Sequence, residues 1–172
     1  MKKKSYKAIL TILDPEIFLA FLLYPSICFA GNSYYFESLS NKASEHIASA
    51  DLQKAMAVFT QDKFNDCKKQ LSLSQKNAKK YFSSISITIT KRSIKTFLVF
   101  PSKYCYAFFG VHSVQFWIVS LDKNKQYSLL LSARQDGIEI LPSFINEFAD
   151  INLIYGVNKQ QYFFNGKSYV PK

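Results

Sequence analysis

Downstream of an apolar N-terminal run, the chain holds two cysteines, Cys67 and Cys105, and two histidines, His46 and His112. A thiol beside a base is the arrangement that makes a sulfur nucleophile, which pairs Cys105 with His112. All four together would be the donor set of a Cys2His2 zinc site, but their spacings match none of the compact ligand patterns. A disulfide between Cys67 and Cys105 competes with both readings, because it would consume the nucleophile. Two cysteines in an oxidising compartment most simply pair, and the bridge would be worth roughly 4 kcal/mol in the chain-entropy model. Two buried free thiols are the plainer alternative. His46 follows Glu45 in a helical stretch, on a solvated face, and His112 falls in GVHSV, a strand connection.

The acids that follow Asp122 are Asp136, Glu139, Glu147 and Asp150. Paired carboxylates cleave glycosides, but no spacing marks any two of these as a pair. Asp136-Gly137 reads as a turn, and Asp150 as the residue before a strand. No G-x-S-x-G elbow and no glycine-rich phosphate loop occurs. No catalytic residue, metal site or cofactor is therefore assigned.

Charge is the stronger signal. The chain carries 22 Lys and Arg against 12 Asp and Glu, a formal net charge of +10. No acid lies between Asp66 and Asp122, while that interval holds Lys68, Lys69, Lys76, Lys79, Lys80, Lys91, Arg92, Lys95 and Lys103. Lys76, Lys79 and Lys80 have helical neighbour spacing, and Lys91, Arg92 and Lys95 form a turn between strands. These six are the candidate binding surface, for an acidic envelope or toxin protein or an anionic envelope surface. The competing view is that scattered lysines only keep the protein soluble.

The N-terminus bears on the choice of partner. MKKKSYK is followed by apolar stretches broken at Asp14-Pro15-Glu16 and ending in Cys28-Phe29-Ala30. A basic start, an apolar core and small residues at the cleavage point describe a signal peptide over 1–30, cut before Gly31. An uncleaved inner-membrane anchor is the alternative, although the run from Ile17 to Ala30 is shorter than the roughly 20 apolar residues of a span. Cys28 lacks the flanking residues of a lipoprotein site. An exported chain meets lipid headgroups, envelope glycans and acidic proteins outside the inner membrane, and no nucleic acid.

The elements follow from pattern. Residues 31–172 form one α+β domain, with a helical part over 41–82 and a sheet over 84–170. NKASEHIASADLQKAMAVFTQDKFNDCKKQL has no Pro or Gly, Ser40 or Asn41 suits the cap, and Leu52, Met56 and Phe59 recur at helical spacing, as do Phe64, Cys67 and Leu71. A second short helix is expected over 75–82. SISITIT alternates, turning Ile85, Ile87 and Ile89 to one side. Further strands are expected at 96–100, 104–109, 114–121, 127–132, 138–141 and 151–155. YFFNGKSYV reads as a hairpin with Asn165-Gly166 in a type I′ turn. One or two helices first and strands in succession afterwards imply an antiparallel sheet of five to seven strands.

That ending, Tyr162-Phe163-Phe164-Asn165-Gly166-Lys167-Ser168-Tyr169, resembles the closing hairpin of many small exported bacterial proteins of no assigned role. FWIVSLDKNKQYSLLLS and Ala149-Asp150-Ile151 extend the resemblance over about the last 70 residues. It implies a shared sheet and no chemistry. The general design, a small basic exported domain with one disulfide, also looks like periplasmic lysozyme inhibitors and immunity proteins of secreted toxins. The expected role is therefore a periplasmic, non-enzymatic binding protein of the inhibitor or immunity kind. An envelope-associated structural, lipid- or glycan-binding protein is the alternative, and a cell-wall-active enzyme the third class.

Overall fold

The computed structural model describes residues 32–35, 47–74, 81–102, 105–110 and 113–172. Among them run β1 (Ser33–Tyr35), α1 (Ala50–Ser74), β2 (Phe82–Ile87), β3 (Lys95–Pro101), a 3-10 turn (Tyr106–Phe108), β4 (Val114–Leu121), β5 (Tyr127–Gln135), β6 (Gly137–Ile145), β7 (Phe148–Tyr155), β8 (Asn158–Phe164) and β9 (Tyr169–Pro171). The class is α+β, as the pattern implies. The strands divide between two antiparallel sheets, ordered β2-β3-β4-β5 and β1-β6-β7-β8-β9.

The four-stranded sheet is the middle of three layers. Leu98, Phe100, Phe116 and Ile118 face the five-stranded sheet, in one core with Ile138, Ile140, Ile151 and Leu153. Val99, Trp117 and Val119 face the other way, in a second core with Leu52 and Met56 of α1. A strand covered on both faces needs apolar residues at every position. That is why β3 reads FLVF and β4 reads FWIV. In β5 a bulge lies opposite the Ile118/Val119 step, where Leu131 pairs with Ile118 and Leu129 with Val119. The extra residue, Leu130, shifts the alternation by one, so Leu129 joins the helix core and Leu131 the core between the sheets.

The helix begins at Ala50, later than its pattern suggests. Ile47 bridges to Ser83 instead, and Ala48 N donates to Phe82 O at 3.1 Å. Ser49 supplies the cap, its Oγ accepting from Leu52 N at 3.3 Å. Ser40, Asn41 and most of the expected second helix, 75–80, lie outside the described residues. Phe82, read as the end of that helix, is the first residue of β2.

Gln61 interrupts α1 with φ 29° and ψ −98°. The step from Phe59 to Phe64 is five residues, which at about 100° per residue would rotate Phe64 off the face that carries Leu52, Met56 and Phe59. The break resets the phase, and Phe59, Phe64 and Cys67 all meet the helix core.

The strand expected over 104–109 is absent from its described part. Instead Phe108 N donates to Cys105 O and Phe109 N to Tyr106 O, which closes a 3-10 turn with Phe108 buried. The closing hairpin is present, but Phe164 pairs with Tyr169 and leaves four loop residues, 165–168. Only Gly166 of these has a positive φ, 102°. Asn165 acts as a cap, its Oδ1 accepting from Lys167 N and Ser168 N, both at 2.9 Å. The type I′ geometry occurs at Asn146-Glu147, with φ 52° and 66°, between β6 and β7.

Candidate functional site

The connection from β2 to β3 carries Lys91, Arg92 and, at the first position of β3, Lys95. It does not loop freely. After Ile87 the chain crosses to the other sheet, where Thr90 bridges to Phe148 and Ala149 N donates to Ile89 O at 2.7 Å. It clasps the β6–β7 turn. Lys91 N and Thr90 Oγ1 both donate to Glu147 O, at 3.0 and 3.1 Å. Arg92 Nε donates to Glu147 Oε2 at 2.7 Å, and Arg92 N to Thr90 Oγ1 at 3.1 Å. Lys91 Nζ stands 4.5 Å from the centre of the Phe144 ring and the Arg92 guanidinium 5.4 Å from that of Phe148, both within cation–π range.

Of the six predicted binding residues, Lys91 and Arg92 thus belong to the clasp, and Lys95 opens the strand that follows it. Lys76, Lys79 and Lys80 lie outside the described residues. The clasp gives the first three unequal freedom. Arg92 is engaged with Glu147. Lys91 and Lys95 are exposed, and neither makes an ion pair among the described residues.

Cys67 and Cys105 are joined, with Cα atoms 4.8 Å apart and a sequence separation of 38. The bridge ties α1 to the 3-10 turn, not to a strand. Both sulfurs are buried in the helix core. His46 and His112 lie outside the described residues, and no group of three metal-binding side chains occurs among the described ones.

Each C-terminal acid has a structural partner. Asp136 Oδ2 accepts from Gly156 N at 2.6 Å and Glu147 belongs to the clasp. Glu139 accepts from Asn152 Nδ2 at 2.8 Å and pairs with Lys159 at 2.9 Å. Those two hydrogen bonds hold its carboxyl below the usual range against a partial desolvation, with the Lys159 charge helping. Asp150 stands within β7, not before it. It is buried, and its Oδ2 accepts from Ser143 Oγ at 2.9 Å and Gln161 Nε2 at 3.1 Å, with Lys172 Nζ 3.8 Å away. All of these partners meet Oδ2, which offsets part of the hydration the carboxylate loses on burial, whereas Oδ1 is buried with no hydrogen-bond partner among the described residues. Burial, with the Asp150 charge second, raises the pKa of Tyr169, whose hydroxyl donates to Ala149 O at 2.8 Å.

One cavity of about 390 Å³ opens beneath the break in α1, walled by Phe59, Phe108 and Trp117 and edged by Gln61, Gln115 and Ser132. Nothing in the spacing of these residues announces it. No helix among the described residues is long and apolar enough to cross a membrane. No protein-family model, curated protein or solved structure matches this chain.

Proposed function

We propose that this chain is an exported, periplasmic binding protein that acts on another envelope protein, in the manner of an inhibitor or immunity protein, and does no chemistry of its own. The observation that carries the reading is the clasp. Five polar and cation–π contacts pin the β2–β3 connection to the β6–β7 turn and the strands beside it, so that Lys95, exposed where β3 begins, projects from a fixed base in a chain of net charge +10. Preformed loops bind with less loss of conformational entropy than mobile ones, and exposed lysines steer an acidic partner more than they hold it. The structural roles of Asp136, Glu139, Glu147 and Asp150 support a non-catalytic reading. The test is affinity capture from a periplasmic extract with mass spectrometry, together with N-terminal sequencing of the exported protein. A stoichiometric complex with one envelope protein, and a chain beginning at Gly31, are expected. A chain beginning at Met1 revives the anchor, and the absence of any stoichiometric complex refutes the inhibitor role.

A further inference from the structure

The clasp is one part of a larger end of the molecule. The strands alternate in direction, so the β2–β3, β4–β5, β6–β7 and β8–β9 connections all emerge at the same end. Strand pairing and hydrogen bonds link their ends in turn. Lys95 pairs with Leu121, which leads into the β4–β5 loop, 122–126. The β2–β3 connection is clasped to Glu147, as above. Asn146 Nδ2 donates to Phe164 O at 3.0 Å, linking the β6–β7 turn to the β8–β9 loop. Ser168 and Tyr169 line a cavity of about 270 Å³ together with residues 129–133 of β5.

Six cations stand on this rim, Lys91, Arg92, Lys95, Lys123, Lys125 and Lys167, against two acids, Asp122 and Glu147. Both acids are already engaged by the loops themselves. Asp122 Oδ1 accepts from Gln126 N at 2.8 Å, closing its own loop, and Glu147 holds Arg92. Lys95, Lys123, Lys125 and Lys167 are exposed and make no ion pair among the described residues.

We infer that this four-loop rim is the contact surface, with Lys95, Lys123, Lys125 and Lys167 as its recognition charges, and that its partner is a carboxylate-rich segment of a protein. The inference rests on the binding role proposed above and names the site and the chemistry. A membrane surface is a poorer fit, because peripheral binders bury apolar side chains in the headgroup region. Among the described residues the large exposed apolar side chains, Tyr155 and Val157 included, all lie off this rim. Glycans and nucleic acids are commonly held on open aromatic faces, whereas Phe144 and Phe148 here are covered by Lys91 and Arg92. Bidentate phosphate recognition calls for a free guanidinium, and the one on the rim is bound to Glu147. Lysine point charges without apolar or aromatic support suit carboxylates presented by another protein.

The probe is a fluorescein-labelled glutamate-rich peptide, titrated with the full exported chain at low and at physiological salt. Binding that weakens as salt rises is expected. Reversing Lys95, Lys123, Lys125 and Lys167 to Glu should weaken it by more than about tenfold, and changing the same four to Gln should give an intermediate loss. Reversing Lys54, Lys63, Lys68 and Lys69 on α1 matches the change in net charge and should cost less than about twofold if the rim is the site. Far-UV circular dichroism checks that every variant folds. Equal losses from the rim and helix variants would show diffuse net-charge attraction and overturn the inference. So would binding to phosphatidylglycerol vesicles without binding to the peptide, or no binding to either. An envelope complex that persists with the rim variant overturns this inference alone, whereas lack of any such complex with the unaltered chain counts against the inhibitor role while the peptide titration still decides the rim.

Discussion

Gln53 offers a sharp test of how the helix layer is held to the middle sheet. Its side-chain amide acts as a substitute strand partner for Phe82 at the open edge of β2. Nε2 donates to Phe82 O at 2.7 Å, and Oε1 accepts from Phe82 N at 3.1 Å. Gln53→Ala removes both bonds with unequal consequences. Phe82 O keeps the Ala48 amide as a donor at 3.1 Å. Phe82 N–H is left without an acceptor beside a side chain that is fully buried, and an orphaned buried donor costs about 1–3 kcal/mol. A loss of about 2 kcal/mol follows, which at a urea slope of about 2 kcal/mol per molar lowers the unfolding midpoint by about 1 M. Gln53→Glu separates the two bonds. The new side chain still accepts from Phe82 N–H, but as a carboxylate it sets an oxygen against Phe82 O. Protonation restores the donor, so the folded pKa of the introduced carboxyl is raised above its unfolded value of about 4.3. Its favourable contribution is then complete below the unfolded pKa and is lost as pH rises through the folded one. Urea unfolding followed by circular dichroism and by the single tryptophan should show Gln53→Glu approaching the parent near about pH 4 and falling behind it at neutral pH. A Gln53→Ala variant within about 0.5 kcal/mol of the parent, or a Gln53→Glu variant with the parent's pH profile, refutes the edge-partner argument.

Three further outcomes are expected. Replacing Cys67 and Cys105 together by Ser removes a cross-link spanning 38 positions and should lower stability by about 4 kcal/mol in the chain-entropy model, and thiol labelling of the unreduced, unfolded parent should find neither thiol free. In Gly137→Ala the added Cβ would sit 2.6 Å from Tyr34 O, so β1 must move; a loss of about 1–3 kcal/mol with faster amide exchange in β1 is expected, and unchanged exchange there would count against the β1–β6 pairing. Asn152→Ala removes the larger of the two hydrogen bonds that lower the Glu139 pKa. That stability is present above the unfolded pKa and lost as pH falls through the folded one, so the variant should lose its Glu139 contribution at a higher pH than the parent, with the Glu139 carboxyl resonance titrating upward by NMR.

Local pattern carried much of this architecture. β4 begins and ends at the residues its apolar run marks, 114–121, and the run itself records a sheet covered on both faces. The pairing of Cys67 with Cys105 could be expected from their number alone, once Cys28 is set aside. The division into two sheets could not, because a period of two tells which residues share a face and not which layer covers it. The stretch YCYAFF has strand-forming residues, yet local amide bonds at Cys105 and Tyr106 close a turn that lets Phe108 fill the helix core. The basic cluster at 91–95 was visible as a run of charge. Its anchor was not, since Glu147 lies 55 residues from Arg92, and Lys123, Lys125 and Lys167 join the rim only through strand direction.

The order of the strands has a consequence for how the chain is born. Neighbours within β2–β5, and again within β6–β9, are also consecutive in sequence, so each set can zip up as a meander of local hairpins while the chain is still being delivered N-terminus first. β1 is the exception, since its partner β6 arrives about a hundred residues later. Local pairing makes each meander quick, but the first to form has nothing against one of its faces. Until β6–β9 emerge, Leu98, Phe100, Phe116 and Ile118 look out on water, and a half-made domain with an open apolar face is prone to self-association. The vulnerable moment in the life of this protein is therefore a waiting time while the chain is being delivered, when the middle of its three layers is briefly an outside.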